Sequence, residues 1–247
     1  MDVLELFLAL TSQVHQYGSE DQMRRFLPSG VQQDEIGNYY HKIGESSSMF
    51  AAHLDTLAYC QVEDVKHVIE DDDGRIRVRT DGNTILGADD RSGVLVLLYM
   101  IEKQIPGLYY FFIGEEVGRI GSQGISDIKP EYFKNYQRCV SFDRRGEGSI
   151  VSRQRQEISC SNSFVESLSN ELMQCTGIDF FNDPNGVCTD SFSFIDLIPE
   201  CTNISVGYYN AHSRKEYQDI SYLKELCRGV AKIDWESLPF DHNRQSA

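Results

Sequence analysis

The sequence predicts an α/β fold, a three-layer sandwich whose mixed, mostly parallel central sheet is flanked by helices. Two observations carry that expectation. Short apolar runs of strand length at 48–53, 108–113 and 138–142 alternate with longer segments at 93–103, 164–175 and 220–235 that read as helices, the order that a sheet with crossover helices requires. The run Met49-Phe-Ala-Ala52 is also apolar on consecutive residues, as a strand covered on both faces should be.

Taken in order, residues 3–16 and 20–27 space their apolar side chains as helices do, with Ser19 placed as an N-cap and Pro28-Ser-Gly30 closing the second segment. Strands are expected at 38–43 and 48–53. Segments 65–69 and 75–79 flank Asp71-Asp-Asp-Gly74 and read as a hairpin with a solvated acidic turn. Helix 93–103, strands 108–113 and 138–142, helix 164–175, strand 203–206 and helix 220–235 follow. No repeat, low-complexity tract or linker divides the chain, so residues 1–247 are expected to form a single domain.

Composition narrows the function. With 247 residues and 40% hydrophobic content, the chain can bury a sizeable core. Its 38 acidic against 23 basic residues leave a formal charge of -15, which repels phosphate backbones and anionic membrane surfaces. Nucleic acid and membrane are therefore excluded as expected partners, and part of the acidity is of the kind that bound divalent cations neutralise. No apolar run is long enough to span a bilayer. Asp2 and Glu5 stand where an export signal would be basic. The cysteines at 60, 139, 160, 175, 188, 201 and 227 are odd in number and form no CxxC pair, which points to reduced thiols and a cytoplasmic location.

Potential metal donors recur at the ends of the expected strands, where an open α/β sheet places its ligand crevice. In Ala51-Ala-His-Leu-Asp-Thr56, His53 and Asp55 lie two residues apart on extended chain and face one side. That spacing suits an imidazole donor oriented by a carboxylate. Gly87-Ala-Asp-Asp-Arg-Ser-Gly93 offers two carboxylates on a turn entering a helix, one of which could bridge two cations. Phe111-Phe-Ile-Gly-Glu-Glu-Val-Gly118 ends a strand with adjacent glutamates, one to coordinate and one to face the reacting water. Asp143 and His212 complete a mixed N/O set that suits zinc or cobalt. Each piece alone has an ordinary explanation, since paired aspartates before a helix usually cap it and adjacent glutamates usually line a solvated turn. Their succession at strand ends is what argues for a site. His15, His41, His67 and His242 are read as surface or tail residues without a role.

The segments 34–56, 84–93, 114–122 and 210–213, in this order, resemble the co-catalytic dinuclear zinc exopeptidases, which include aminopeptidases, peptidase T-like tripeptidases and glutamate-releasing carboxypeptidases. The resemblance implies two divalent cations per chain, zinc first, with cobalt or manganese as alternatives. It implies His53 and Asp143 on one cation, Glu116 and His212 on the other, and Asp89 bridging both. It further implies that Asp55 orients His53 and that Glu115 acts as general base on a water held between the metals. A cis peptide is implied at Asp89-Asp90. The lid or dimerisation insertion of many relatives has no counterpart of domain size here, which implies a monomer or small homo-oligomer.

An Asp at position 143 is typical of the aminopeptidase branch, so peptides with a free amino terminus are the expected substrates. Arg144 could instead grip a substrate carboxylate, and Asp190, in Thr189-Asp-Ser191, joins Tyr208 and Tyr209 as candidates for the substrate pocket. A carboxypeptidase, an N-acyl amino acid deacylase and a metal-binding protein without activity are the competing readings.

Overall fold

A computed structural model describes residues 1–57 and 64–244. Along them run α1 (Val3–Leu10), β1 (Gln32–Gln33), β2 (Tyr39–Ile43), β3 (Ser48–His53), β4 (His67–Asp72), β5 (Arg75–Thr80), α2 (Ala88–Glu102), β6 (Gly107–Phe112), α3 (Ile120–Ile128) and α4 (Pro130–Phe133). Then come β7 (Arg138–Arg144), β8 (Ser149–Val151), β9 (Arg153–Gln154), β10 (Glu157–Ile158), α5 (Asn162–Thr176), β11 (Phe181–Asp183), β12 (Glu200–Ser205), β13 (Tyr208–Tyr209), β14 (Tyr217–Asp219) and α6 (Ile220–Val230).

The central sheet has eight strands in the order β1-β2-β6-β3-β7-β12-β8-β11. β3 lies parallel to β6 and β7, and β7 parallel to β12, whereas β2 joins β6 and β8 joins β12 antiparallel. This is the mixed, mostly parallel sheet expected. Every residue of β3 and β6 is buried, and the two-residue period of a strand sorts them onto opposite faces. Phe50, Ala52, Tyr109, Phe111 and Phe142 meet α2 and α6 through Val94, Leu97, Leu223 and Leu226 on one side. Met49, Ala51, Tyr110 and Phe112 meet Ile125, Phe133 and Phe194 on the other. Each fully buried side chain of this size contributes about 1.5–3 kcal/mol, so the layering follows from the strands being apolar on both faces. A smaller antiparallel sheet, β13-β14-β5-β4, carries the expected hairpin, and its acidic turn closes on Gly74 at φ +86°.

Several boundaries differ from expectation. α1 stops at Leu10 instead of continuing to 16, because Thr11 leaves helical geometry at φ -95° and ψ 7° and the Ser12 N–H turns back onto Ala9 O. His15, expected at the surface, is fully buried, with its carbonyl accepting from Thr56 N at 2.8 Å. Residues Glu20–Phe26 form a 3-10 helix that Ser19 does not cap; the Ser19 hydroxyl donates to Gln16 O at 2.7 Å. α6 ends at Val230 rather than 235, and a separate 3-10 turn holds Trp235–Ser237. α3, α4 and the short strands β8 to β11 were not anticipated. α3 contains Gly121 and Gly124 and is fixed by close contact, since a Cβ at Gly121 would lie 2.1 Å from Asn38 Oδ1. The strands β8 to β11 have two or three residues each, too few to show a period.

Candidate metal centre

The parallel strands end at one edge of the sheet, and the chemistry collects there. His53 is the last residue of β3, Asp143 the last but one of β7, and Glu115 and Glu116 follow β6 by three and four residues. The start of α2 supplies Asp89. Its peptide bond to Asp90 is cis, as the resemblance implies, and Gly87 before it adopts φ +73°, a left-handed conformation that costs glycine little. The two aspartates then divide. Asp90 turns inward, accepting from Gly93 N at 3.0 Å and His53 N at 3.1 Å. Asp89 is left facing the cleft. Gly93 lets α2 approach β7, because a Cβ there would lie 2.0 Å from Phe142 O.

Asp89 offers one oxygen to each of two groups of donors. Its Oδ1 lies 3.2 Å from His53 Nε2, which is also 3.7 Å from Asp143 Oδ1. Its Oδ2 lies 3.2 Å from His212 Nε2, which is 2.8 Å from Glu116 Oε1. Donors around a tetrahedral zinc with bonds of about 2.0–2.1 Å stand roughly 3.3 Å apart, so both groups have the spacing of a coordination shell. The five side chains singled out from the sequence as donors are thus together, in two sets that share Asp89.

Their supports are specific. Asp55 accepts the N–H groups of Glu115 and Glu116, each at 3.0 Å, one on each carboxylate oxygen. Its carbonyl lies 2.9 Å from His53 Nδ1, nearer than its carboxylate at 3.4 Å. One residue therefore orients the histidine and fixes the turn that presents both glutamates. Asp143 takes the Thr189 hydroxyl on Oδ2 and the Tyr208 hydroxyl, at 3.2 Å, on Oδ1. The buried Glu216 carboxylate accepts from Leu86 N at 2.9 Å, Gly87 N at 2.8 Å and Asp89 N at 3.1 Å. No motif around Glu216 announced that role, which depends on a contact across 127 residues of chain.

The electrostatics ask for positive charge. Burial raises Asp143 to about 6 and Glu115 to about 10, with neighbouring carboxylates adding to the rise. Burial also lifts Asp90 well above its ordinary range. The fully buried Arg91 faces Asp55, Asp90 and Glu20 from beneath and offsets part of this. Divalent cations between the two donor sets would supply the remainder, and the donor chemistry fits them.

His212 is raised from 6.5 to about 10, by Asp89 first and Glu116 second. In metal-free protein, its stabilising contribution is therefore complete below about pH 6.5 and is lost as the pH climbs towards 10. Zinc requires the neutral ring. Melting temperatures measured with a chelator should fall across this interval, and those measured with zinc should not; parallel pH profiles would contradict the arrangement.

The donors open onto a cleft of about 800 Å³ whose walls include Arg144, Arg145, Glu147, Asp183 and Tyr209. The substrate-pocket candidates fare unequally. Arg144 is paired with Asp183 at 2.6 Å, so its guanidinium is committed within the wall. Asp190 is 1% exposed and lies beneath the wall, where burial first, then Asp143 and Asp55, push it up to about 7. Tyr208 is spent on Asp143. Tyr209 does reach the cleft, stacked on Tyr217 at 4.8 Å and donating to Glu147 at 3.0 Å.

No protein-family model and no curated protein matches this sequence. Solved structures do match. Aminopeptidase PepT from Bacillus cereus superposes with a TM-score of 0.77 at 15% identity, covering 93% of this chain and 96% of that one. A tripeptidase from Staphylococcus aureus gives 0.74 at 17% identity, covering 93% and 96%. The TET1 peptidase of Pyrococcus horikoshii, which can assemble into a tetrahedron or a large octahedral shell, gives 0.70 at 17%, covering 93% and 98%. The chain shares the fold of these peptidases.

Proposed function

We propose that residues 1–247 form one catalytic domain of a dinuclear zinc aminopeptidase, which removes the N-terminal residue from peptides. The observation that carries this reading is the pair of Asp89 oxygens, each facing its own histidine and carboxylate at 3.2 Å from the histidine nitrogen. His53 and Asp143 would hold one cation, Glu116 and His212 the other, with Asp89 between them. The mixed N/O donor set suits zinc and also admits cobalt or manganese.

When bound, the cations supply a Lewis acid for the scissile carbonyl and lower the pKa of water. Glu115 takes a proton from the attacking water as its oxygen bonds to the carbonyl carbon. It holds the proton on its carboxylate, and gives it to the amine nitrogen as the C–N bond breaks. Asp55 keeps Glu115 in place through the backbone, and Thr189 and Tyr208 hold Asp143 so that its carboxylate does not swing with substrate.

A cytoplasmic location is proposed from the thiols. Cys139, Cys160, Cys175, Cys188, Cys201 and Cys227 are free, Cys60 lies outside the described residues, and no helix among the described residues is long and apolar enough to cross a membrane. A monomer or small homo-oligomer is proposed because, among the described residues between His53 and Asp89, the β4–β5 hairpin is the element present. The TET1 peptidase assembles into larger shells, so light scattering at working concentration is the direct check.

With zinc present, short peptides bearing a free amino group should lose their first residue, and N-acetylated copies should be untouched. Equal cleavage of both would replace this reading with a deacylase or an enzyme that recognises the carboxyl end.

A further inference from the structure

Arg145 is the one cationic side chain on the cleft wall that makes no ion pair or hydrogen bond among the described residues. The other charged groups of the wall are committed. Arg144 holds Asp183 at 2.6 Å, Glu147 holds Arg75 at 2.6 Å and Tyr209 at 3.0 Å, and the remaining carboxylates belong to the metal centre or are Glu115. Arg145 is exposed, and an unpaired surface guanidinium means little by itself. Its place is what gives it meaning.

Arg145 follows Asp143 by two residues, just past the end of β7, and lines the same cleft as Asp89, Glu115 and Asp143. Two residues of chain span at most about 7 Å. A peptide running away from its scissile carbonyl advances by about the same length over two residues. A carboxylate carried about two residues beyond that carbonyl would therefore arrive beside Arg145. Charge favours the same match. Three carboxylate donors and Glu115 together balance two divalent cations, so in the loaded enzyme Arg145 is the uncompensated charge of the cleft wall, in a chain whose formal charge is -15.

We infer that Arg145 recognises a carboxylate on the leaving portion of the substrate, which makes short acidic or free-ended peptides the preferred class. The inference rests on the aminopeptidase reading. The carboxylate has two sources, the α-carboxylate of a short peptide or the side chain of an internal Asp or Glu. A guanidinium grips either through paired N–H donors.

The test compares zinc-loaded wild type, Arg145→Gln and Arg145→Lys on Ala-Ala-Ala, its C-terminal amide and Ala-Glu-Ala amide. Wild type should favour a carboxylate-bearing substrate over the plain amide by about tenfold or more, with the preference residing in KM. Arg145→Gln should abolish that preference and Arg145→Lys should keep part of it. Whether the free tripeptide or the glutamyl amide benefits identifies the source. The affinities of the same peptides for the non-turning Glu115→Gln protein, measured by calorimetry with and without Arg145→Gln, should follow the same order. Cleavage with no carboxylate preference, or a preference that survives Arg145→Gln, overturns the inference and leaves the aminopeptidase reading standing. Absence of cleavage of any unblocked peptide overturns both.

Discussion

Glu115→Gln is expected to lower kcat by about 10²–10⁴-fold while KM, zinc content and melting temperature stay close to wild type. The amide keeps the size of the carboxylate and its place on the turn, because the turn is held by the Glu115 and Glu116 N–H groups on Asp55 and not by the side chain. What it would lose, on the proposed mechanism, is the ability to accept a proton from water and hand it to the departing amine. Burial holds the Glu115 carboxyl at about 10 in the metal-free site, with Asp143, Asp190 and Asp89 adding to the rise. Two bound cations would lower it into the range in which it could work as a base. A variant that lost its zinc together with its activity would move Glu115 from the chemistry to the coordination shell.

The second large effect belongs to Asp89. Asp89→Ala removes the two oxygens that lie 3.2 Å from His53 Nε2 and from His212 Nε2 respectively, so both donor sets lose a member at once. Zinc affinity should fall at both sites, and kcat should fall by about 10³-fold, the equivalent of roughly 4 kcal/mol of lost stabilisation in the transition state. Asp143→Ala and Glu116→Ala should each weaken one site more than the other. The apo protein reports the same geometry, because Asp89 is the first cause of the raised His212 pKa. The stability lost by metal-free protein between about pH 6.5 and 10 should shrink in Asp89→Ala. Equal zinc binding by wild type and Asp89→Ala would rule out a bridging role.

How far these residues could be read from the sequence depended on how local their signals are. The strands β3 and β6 declared themselves because a strand buried on both faces is apolar on consecutive residues, and the candidate donors His53, Asp89, Glu116 and Asp143 could be picked out because each sits at or just past a strand's end or on a glycine-bounded turn, whereas His212 lies on the turn between β13 and β14. Asp55 was legible through its two-residue spacing from His53, although its grip on the Glu115 and Glu116 N–H groups was not. Glu216 was invisible, since a glutamate that caps a turn 127 residues away leaves no local pattern. The surroundings of Arg144 and Asp190 were not legible for the same reason. Whether an arginine is free or paired with Asp183, and whether a carboxylate is on the wall or beneath it, is decided by the tertiary packing of β11 and the Asp190–Phe194 turn. α1 and α6 were drawn too long because apolar spacing continues past the point where Thr11 and Ala231 cap the helices with their own backbone bonds.

The central claim is that two cations, shared through Asp89, run one peptidase site. Titrating metal-free protein with zinc while following release of the N-terminal residue from an unblocked tripeptide tests it directly. Activity should rise to a plateau reached at two equivalents per chain, and a plateau at one equivalent, or full activity with none, would contradict it.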